Sequence, residues 1–307
     1  MRLVYSFGYF LIVLVCWFFA SPSLADITIH DDNGVQTFTT PPKRAVVLDW
    51  DLLEQVLSLD VIPVGATEIE SYNQWVVMPA APRSIEEVGT RAEPNLEKIA
   101  LLKPDVILAT SSQQDLIPLL QKIAPVVYLS NFSAKDDAAE VAISQLKTLA
   151  TLFNKEEQAQ KQLAELSVQF AIFRTKLAQY YPENTEVTVI RFSTLTSVFL
   201  PTDNASLNYV LQNLGLKPAI TLPAKPWGIT QRRINELSSI DEGYVLYLRP
   251  FPDEKKLDSA RLWQALPFVR KHHVNGVEPV WNYGGVYSLQ RMAKAITDSL
   301  LDIAPTQ

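Results

Sequence analysis

The chain has 307 residues, 33 acidic side chains against 27 basic ones, a net charge of −6 and one cysteine. The acidic balance argues against nucleic acid as a partner, and one cysteine excludes an internal disulfide or a thiolate metal cluster. The length is sufficient for two lobes with separate cores.

The first 25 residues have the pattern of a secretory signal. Arg2 is the basic start, Phe7 to Ala20 is mostly apolar, and Ser23-Leu24-Ala25 is a small-x-small cleavage site. A membrane anchor is the alternative, but the run is short for a span and Ser21-Pro22-Ser23 follows it. A lipid-modified Cys16 is another, but it follows Val15 rather than a small residue. Cleavage removes Cys16 and leaves a cysteine-free chain that folds in an oxidising compartment without mispairing.

Asp26 to Pro42 alternates weakly, as a flexible lead or an edge hairpin. Arg44 to Leu48 is a strand, Asp49-Trp50-Asp51 leads into a helix with Leu52, Leu53, Val56 and Leu57, and Val61 to Ala66 is the next strand. Strand, helix, strand in succession implies a parallel sheet covered by helices. Glu68 to Arg83 is an aromatic loop carrying Tyr72 and Trp75. Val88 to Leu108 then gives turn, helix, turn and buried strand, with Leu96, Ile99 and Leu102 on one apolar face. Pro94 suits the first helical turn, and Lys103-Pro104 stops the helix. Arg91 lies just before that helix, where unpaired N–H groups and a guanidinium suit an oxygen-rich ligand. The plainer alternative is a surface arginine paired with Glu93 or Glu97. Ser111 to Asp115 follows the C-terminal end of the strand, where open α/β sheets place ligands. A helix at 117–123, a strand at 126–129 and a helix at about 136–153 complete the first lobe.

Lys155 to Tyr181 is an unbroken helical pattern with Leu163, Leu166, Phe170, Phe173 and Leu177 in a stripe. At about 1.5 Å per residue it spans about 40 Å, a strut between lobes. The first half's order then recurs. Leu207 to Pro218 parallels Leu53 to Pro63, and Ile234-Asn235-Glu236-Leu237 with Tyr244 to Tyr247 parallels Leu96 to Ile99 with Val106 to Leu108. Trp227 occupies the second half's counterpart of the slot that holds Trp75 and Arg91. A helix at 262–268, a strand at 274–277, the loop Val280 to Gly285 and a helix from about Ser288 to Ile303 close the chain. The organisation expected is a signal at 1–25, a lobe at 26–153, a connecting helix at 154–182 and a lobe at 183–307, all α/β with mainly parallel sheets.

No phosphate loop, GxSxG, HExxH or CxxC occurs. The histidines are His30, His272 and His273, and the last two point to opposite faces of a strand. Acidic pairs such as Glu86-Glu87 sit in charged, surface-like contexts. No catalytic residue or protein metal site is assigned, so an exported hydrolase is the disfavoured rival. What converges is aromatic: Tyr72, Trp75, Trp227, Trp281 and Tyr283, with Arg91, suit a bulky, partly apolar ligand with an oxygen-rich face.

Four segments carry a family resemblance: Tyr72-x-x-Trp75, Val88 to Glu97, Leu262 to Arg270 and Val280 to Gly284. Over about 44–303 the chain resembles the periplasmic binding proteins for ferrichrome and other ferric hydroxamate siderophores. That resemblance implies two lobes on one long helix, a shallow cleft, and a monomer. It implies delivery to an inner-membrane ABC permease with its ATPase. It implies that Arg91 hydrogen-bonds the hydroxamate oxygens and that Trp75, Trp227, Trp281 and Tyr283 line the cleft. The iron is bound through the siderophore, so the protein needs no cofactor and no metal ligand of its own. Where the family has a second hydroxamate contact, a tyrosine, gap-free alignment puts Gln113, which can donate but offers no ring. Asp115 and Glu236 are the candidates for docking to the permease. The same fold with a catecholate or citrate siderophore, haem or a cobalamin is the nearest alternative cargo.

Overall fold

The computed structural model describes residues 26–306, so the expected signal segment lies outside the described residues. The chain opens with a hairpin, β1 (Ile27–Asp31) antiparallel to β2 (Gly34–Phe38), turned at Gly34 with φ 124°. Asp31 and Asp32 tie it to the strand edge at Tyr128.

Next come β3 (Ala45–Val47), α1 (Trp50–Ser58), β4 (Gly65–Ala66), α2 (Ile69–Trp75), β5 (Glu86–Glu87), α3 (Leu96–Leu101), β6 (Val106–Ala109), α4 (Ile117–Leu120), β7 (Val126–Tyr128) and α5 (Ala138–Phe153). The five strands form one parallel sheet in the order β5-β4-β3-β6-β7. β3, β6 and β7 are buried throughout, as continuous apolar runs in a covered parallel sheet should be. Two expectations change here. Tyr72 and Trp75 ride on a short helix rather than a loop, and the strand expected from Val61 is only Gly65–Ala66.

The strut is α6 (Glu156–Leu177), 22 residues and so about 33 Å long. Leu166, Phe170, Phe173 and Leu177 are buried along one side. It starts one residue later and ends four earlier than the composition suggests. Lys155 is the non-helical cap, and Pro182 follows a loosened last turn.

The second half runs β8 (Glu186–Thr194), β9 (Ser197–Pro201), α7 (Ser206–Asn213), β10 (Lys217–Pro218), β11 (Ile229–Arg233), β12 (Tyr244–Leu248), α8 (Arg261–Gln264), α9 (Pro267–Arg270), β13 (Val274–Val277) and α10 (Val286–Leu301). The helix expected at 262–268 is split because Leu266 precedes Pro267 and is extended. β10, β8, β12 and β13 pair in parallel in that order. This is the order β4-β3-β6-β7 of the first sheet, so the internal repetition seen in the sequence is a repetition of topology. The antiparallel β9 and β11 extend the second sheet on the far side of β8 and make it mixed.

The halves share a core. Leu53 and Val56 of α1, Leu149 of α5, Phe170 of α6, Val210 of α7 and Met292 of α10 belong to one buried cluster. Polar links cross the same seam. Glu54 of α1 accepts from Ser288 N at 2.8 Å and Ser288 Oγ at 2.5 Å, and Arg291 donates to Val76 O. The loop before α10 can approach α1 only without side chains. A Cβ on Gly284 would lie 2.1 Å from Ser288 Oγ and 2.2 Å from Glu54 Oε2, and one on Gly285 would lie 2.3 Å from Gln55 Cγ. Gly284→Ala is therefore expected to destabilise the protein by about 1–3 kcal/mol, the usual cost of overpacking. A thermal melt checks this; an unshifted midpoint would mean that the seam is looser than these distances.

Candidate ligand-binding cleft

Residues that could meet a ligand stand just beyond the C-terminal ends of the strands, where the crevice of an open α/β sheet lies. Asp49 and Trp50 follow β3, Glu68 follows β4, Arg91 follows β5, Thr110 follows β6 and Phe132 follows β7. From the second sheet, Arg249 and Pro250 follow β12, and the segment Val280 to Tyr283 follows β13.

Arg91 sits at the tip of a stapled turn. Gly89 has φ 97°, and a Cβ there would come within 2.9 Å of Asn95 N and Glu93 O. Asn95 N donates to Val88 O, Glu93 N donates to Thr90 Oγ1, and Asn95 caps α3 through Lys98 N. Pro94 thus precedes the cap rather than occupying the first helical turn. The guanidinium lies 3.8 Å from the centre of the Trp50 ring, a cation–π contact. Its Nε donates to Glu68 Oε2 at 2.6 Å and its Nη1 is 3.8 Å from Asp49 Oδ1. Neither Glu93 nor Glu97 is its partner; Glu68 is. About a third of the side chain stays exposed.

An aromatic series runs from Arg91 to the other side of the cleft. Trp50 meets Trp281 edge-on at 5.2 Å, Trp281 meets Tyr283 at 5.6 Å, Tyr283 meets Trp227 at 6.0 Å, and Trp227 stacks on Phe132 at 4.8 Å. Trp227 is half exposed and Trp75 nearly so. Trp75, Trp281 and Tyr283 line one recess of about 430 Å3 with Arg191, Arg249 and Pro250. The indole N–H groups of Trp50 and Trp281 are buried with no hydrogen-bond partner among the described residues. Glu68, Val77, Phe132 and Trp227 all have left-handed backbones (φ 49°, 70°, 54° and 64°). Such conformations are costly for residues other than glycine and concentrate at functional sites.

Two residues expected in the cleft are beneath it. Tyr72 is fully buried, packs edge-on against Trp50 and donates its hydroxyl to Pro79 O at 2.9 Å. Gln113 is fully buried as well. Its Oε1 accepts from Thr110 N at 3.0 Å, and its amide donates to Leu48 O and, at 2.7 Å, to Arg91 O. With both amide protons committed it has none left for a ligand; it holds the Arg91 backbone instead. Trp50, itself buried, supports the Arg91 guanidinium from below, and the half-buried Phe132 stacks on the exposed Trp227; no motif singled out either.

Under Arg91 lies a buried acidic group. Asp49 accepts from Trp50 N and Thr110 Oγ1, and Asp51 accepts from Asn131 Nδ2 at 2.7 Å. Burial raises the pKa of both, and for Asp51 the charge of Asp49 adds to it. Asp115 and Glu236 are exposed, the latter already engaged with Arg233 N and Arg232.

A family model described as periplasmic binding protein matches residues 46–279, most of the chain. The chain belongs to that family. Among solved structures, this periplasmic binding protein is 55% identical to the siderophore-binding protein FhuD of Vibrio cholerae with Fe3+-Desferal bound. The TM-score is 0.83, and the match covers 86% of this chain and 99% of that one. It is 28% identical over 271 residues to the iron(3+)-hydroxamate-binding protein FhuD of Escherichia coli, 87% of this chain and 90% of that relative. It is also 28% identical over 276 residues to the Fe(3+)-citrate-binding protein YfmC of Bacillus subtilis, with 87% and 84% covered.

Proposed function

We propose that this periplasmic binding protein captures a ferric hydroxamate siderophore and hands it to an inner-membrane ABC importer, the permease and its ATPase. The lobes at 26–153 and 183–307, carried on the helix at 154–182, hold the cleft, and export to the periplasm uses the signal at 1–25. The observation that carries the proposal is the continuous series from Arg91 through Trp50, Trp281 and Tyr283 to Trp227. A ferric hydroxamate has the complementary faces. Its iron is wrapped in oxygens that accept hydrogen bonds from a guanidinium, and its linking chains are apolar enough to lie on rings. The likeness to the two FhuD proteins supports this cargo over the citrate of YfmC. The iron is cargo enclosed by the siderophore, and the protein acts by binding rather than by catalysis. Among the described residues no group of three or more His, Cys, Asp or Glu is arranged to hold a metal.

Tryptophan fluorescence tests the proposal, because Trp75 and Trp227 are exposed and Trp281 lines the recess. Saturable quenching by ferrioxamine is expected, with weaker or no quenching by haem and by a ferric catecholate. Quenching by haem or catecholate alone would replace the cargo. For delivery, we assign docking to Asp115 and Glu236, one exposed carboxylate from each half. Asp115→Lys with Glu236→Lys is expected to lower siderophore uptake by cells while binding in solution persists; normal uptake would discard both residues.

A further inference from the structure

We infer that Glu68 is a specificity-determining residue which sets the charge of cargo that the cleft accepts. The inference rests on the proposed binding of a ferric hydroxamate and adds a selection rule to it. Glu68 holds Nε of Arg91 at 2.6 Å with about a quarter of its own side chain exposed, so its charge lies at the cleft surface. The backbone is bent to put it there. Glu68 has φ 49° and ψ 49°, is fixed by a bond from its N–H to Gly89 O, and stands ahead of α2 as a cap that makes no side-chain capping bond. A left-handed backbone is unfavourable for glutamate in a way that it would not be for glycine. The side chain is therefore committed to the arginine rather than to the helix.

The consequence is electrostatic. A guanidinium alone would attract anions in general; with a carboxylate on Nε it offers donors with little net charge. Asp49 lies 3.8 Å from Nη1 and, to the extent that it is ionised, lowers the field further. Across the cleft, Arg249 is matched in the same way by Glu254 at 2.8 Å and Glu278 at 3.7 Å. The remaining cation of the recess, Arg191, lies over the Phe199 ring. A near-neutral cleft of this kind suits complexes whose ligands just balance the iron's charge, or exceed balance by one cation. Three hydroxamates achieve that balance, and ferrioxamine B adds a pendant ammonium. Three catecholates leave the ferric complex trianionic, and Glu68 repels it.

The test compares wild type with Glu68→Gln, which keeps an oxygen for Arg91 Nε and removes the charge. Affinities are measured for ferrioxamine B (cationic), ferrichrome (neutral) and ferric enterobactin (trianionic), at low and at high salt. The affinity ratio of trianion to cation is expected to rise by at least about tenfold in the variant at low salt, with ferrichrome between the two, and the rise is expected to shrink in high salt. Glu68→Lys is expected to move the same ratio further in the same direction. A ratio unchanged in both variants, or equal losses for all three complexes, would overturn the inference while leaving hydroxamate binding in place. Wild type that binds neither hydroxamate complex would overturn the proposed function and this inference with it. A circular-dichroism melt of each variant separates these outcomes from misfolding.

Discussion

Arg91→Ala is expected to weaken ferric hydroxamate binding by about a hundredfold or more while leaving the protein folded. The guanidinium is a charged donor seated between the buried Trp50 and the open cleft. Each charge-assisted bond it gives contributes about 1.5–3 kcal/mol, so losing two accounts for that factor. The fold does not depend on it to the same degree. An ion pair with this much exposure contributes at most about 1 kcal/mol, and the turn keeps its bridge between Gly89 and Pro94 and the bond from Asn95 N to Val88 O. Removal also leaves Asp49 and Glu68 unopposed, which adds to the loss for a ligand that presents oxygens. Arg91→Lys is expected to recover only part of the affinity, because lysine restores the charge but not the planar face on Trp50. Titration calorimetry with a thermal melt checks both variants. Unaltered affinity in Arg91→Ala would remove this residue from the site.

The second large effect concerns pH and the seam between the halves. Burial pushes the Glu54 carboxyl up to about 7, opposed by its hydrogen bonds from Ser288 and Gly285. The unfolded chain has an ordinary glutamate near 4.3. Between those values the folded protein holds a proton that the unfolded chain has released. Stability from this group is then present at low pH and declines as pH rises from about 4.5 to about 7. At about 1.4 kcal/mol per unit, the loss is about 3 kcal/mol. Asp49 and Asp51, both raised, act in the same direction. Glu54→Gln keeps an acceptor for Ser288 and cannot titrate. Relative to this variant, wild type is expected to lose about 3 kcal/mol between pH 5 and pH 8 in urea unfolding. Parallel pH profiles for the two proteins would show that Glu54 is solvated and the seam wet.

Most of the parallel frame was legible in the sequence, because buried parallel strands are short apolar runs and the helices between them carry apolar faces. The antiparallel extension was not. The turn between β8 and β9 is Leu195-Thr196, which lacks the glycine or asparagine that marks a tight hairpin, and hydroxyls of Thr194 and Ser197 hold it instead. The short α2 was hidden by a helix start that depends on a left-handed glutamate.

In the cleft, Arg91, Trp227, Trp281 and Tyr283 could be named because charged and aromatic residues on connections stand out. Direction could not. Alignment placed Gln113 by position, and its amide points inward. The pattern Thr110-x-x-Gln113 is a capping box, and it was a visible sign that the glutamine is committed to the backbone. Trp50, between two aspartates at the end of the first strand, was likewise in view. Its burial beneath the Arg91 guanidinium follows from packing that no single segment encodes. Tyr72 and Trp75, three residues apart on α2, separate into a buried support and an exposed ring because the helix turns one toward Trp50.

The most direct test of the central claim is the position of iron in a crystal of the complex with ferrioxamine, fixed by its anomalous scattering. The predicted result is iron over the cleft between Arg91 and Tyr283, with every iron ligand an oxygen of the siderophore and the guanidinium of Arg91 donating to those oxygens. Iron held by a protein side chain, or siderophore bound away from Arg91 and Trp227, would contradict the account.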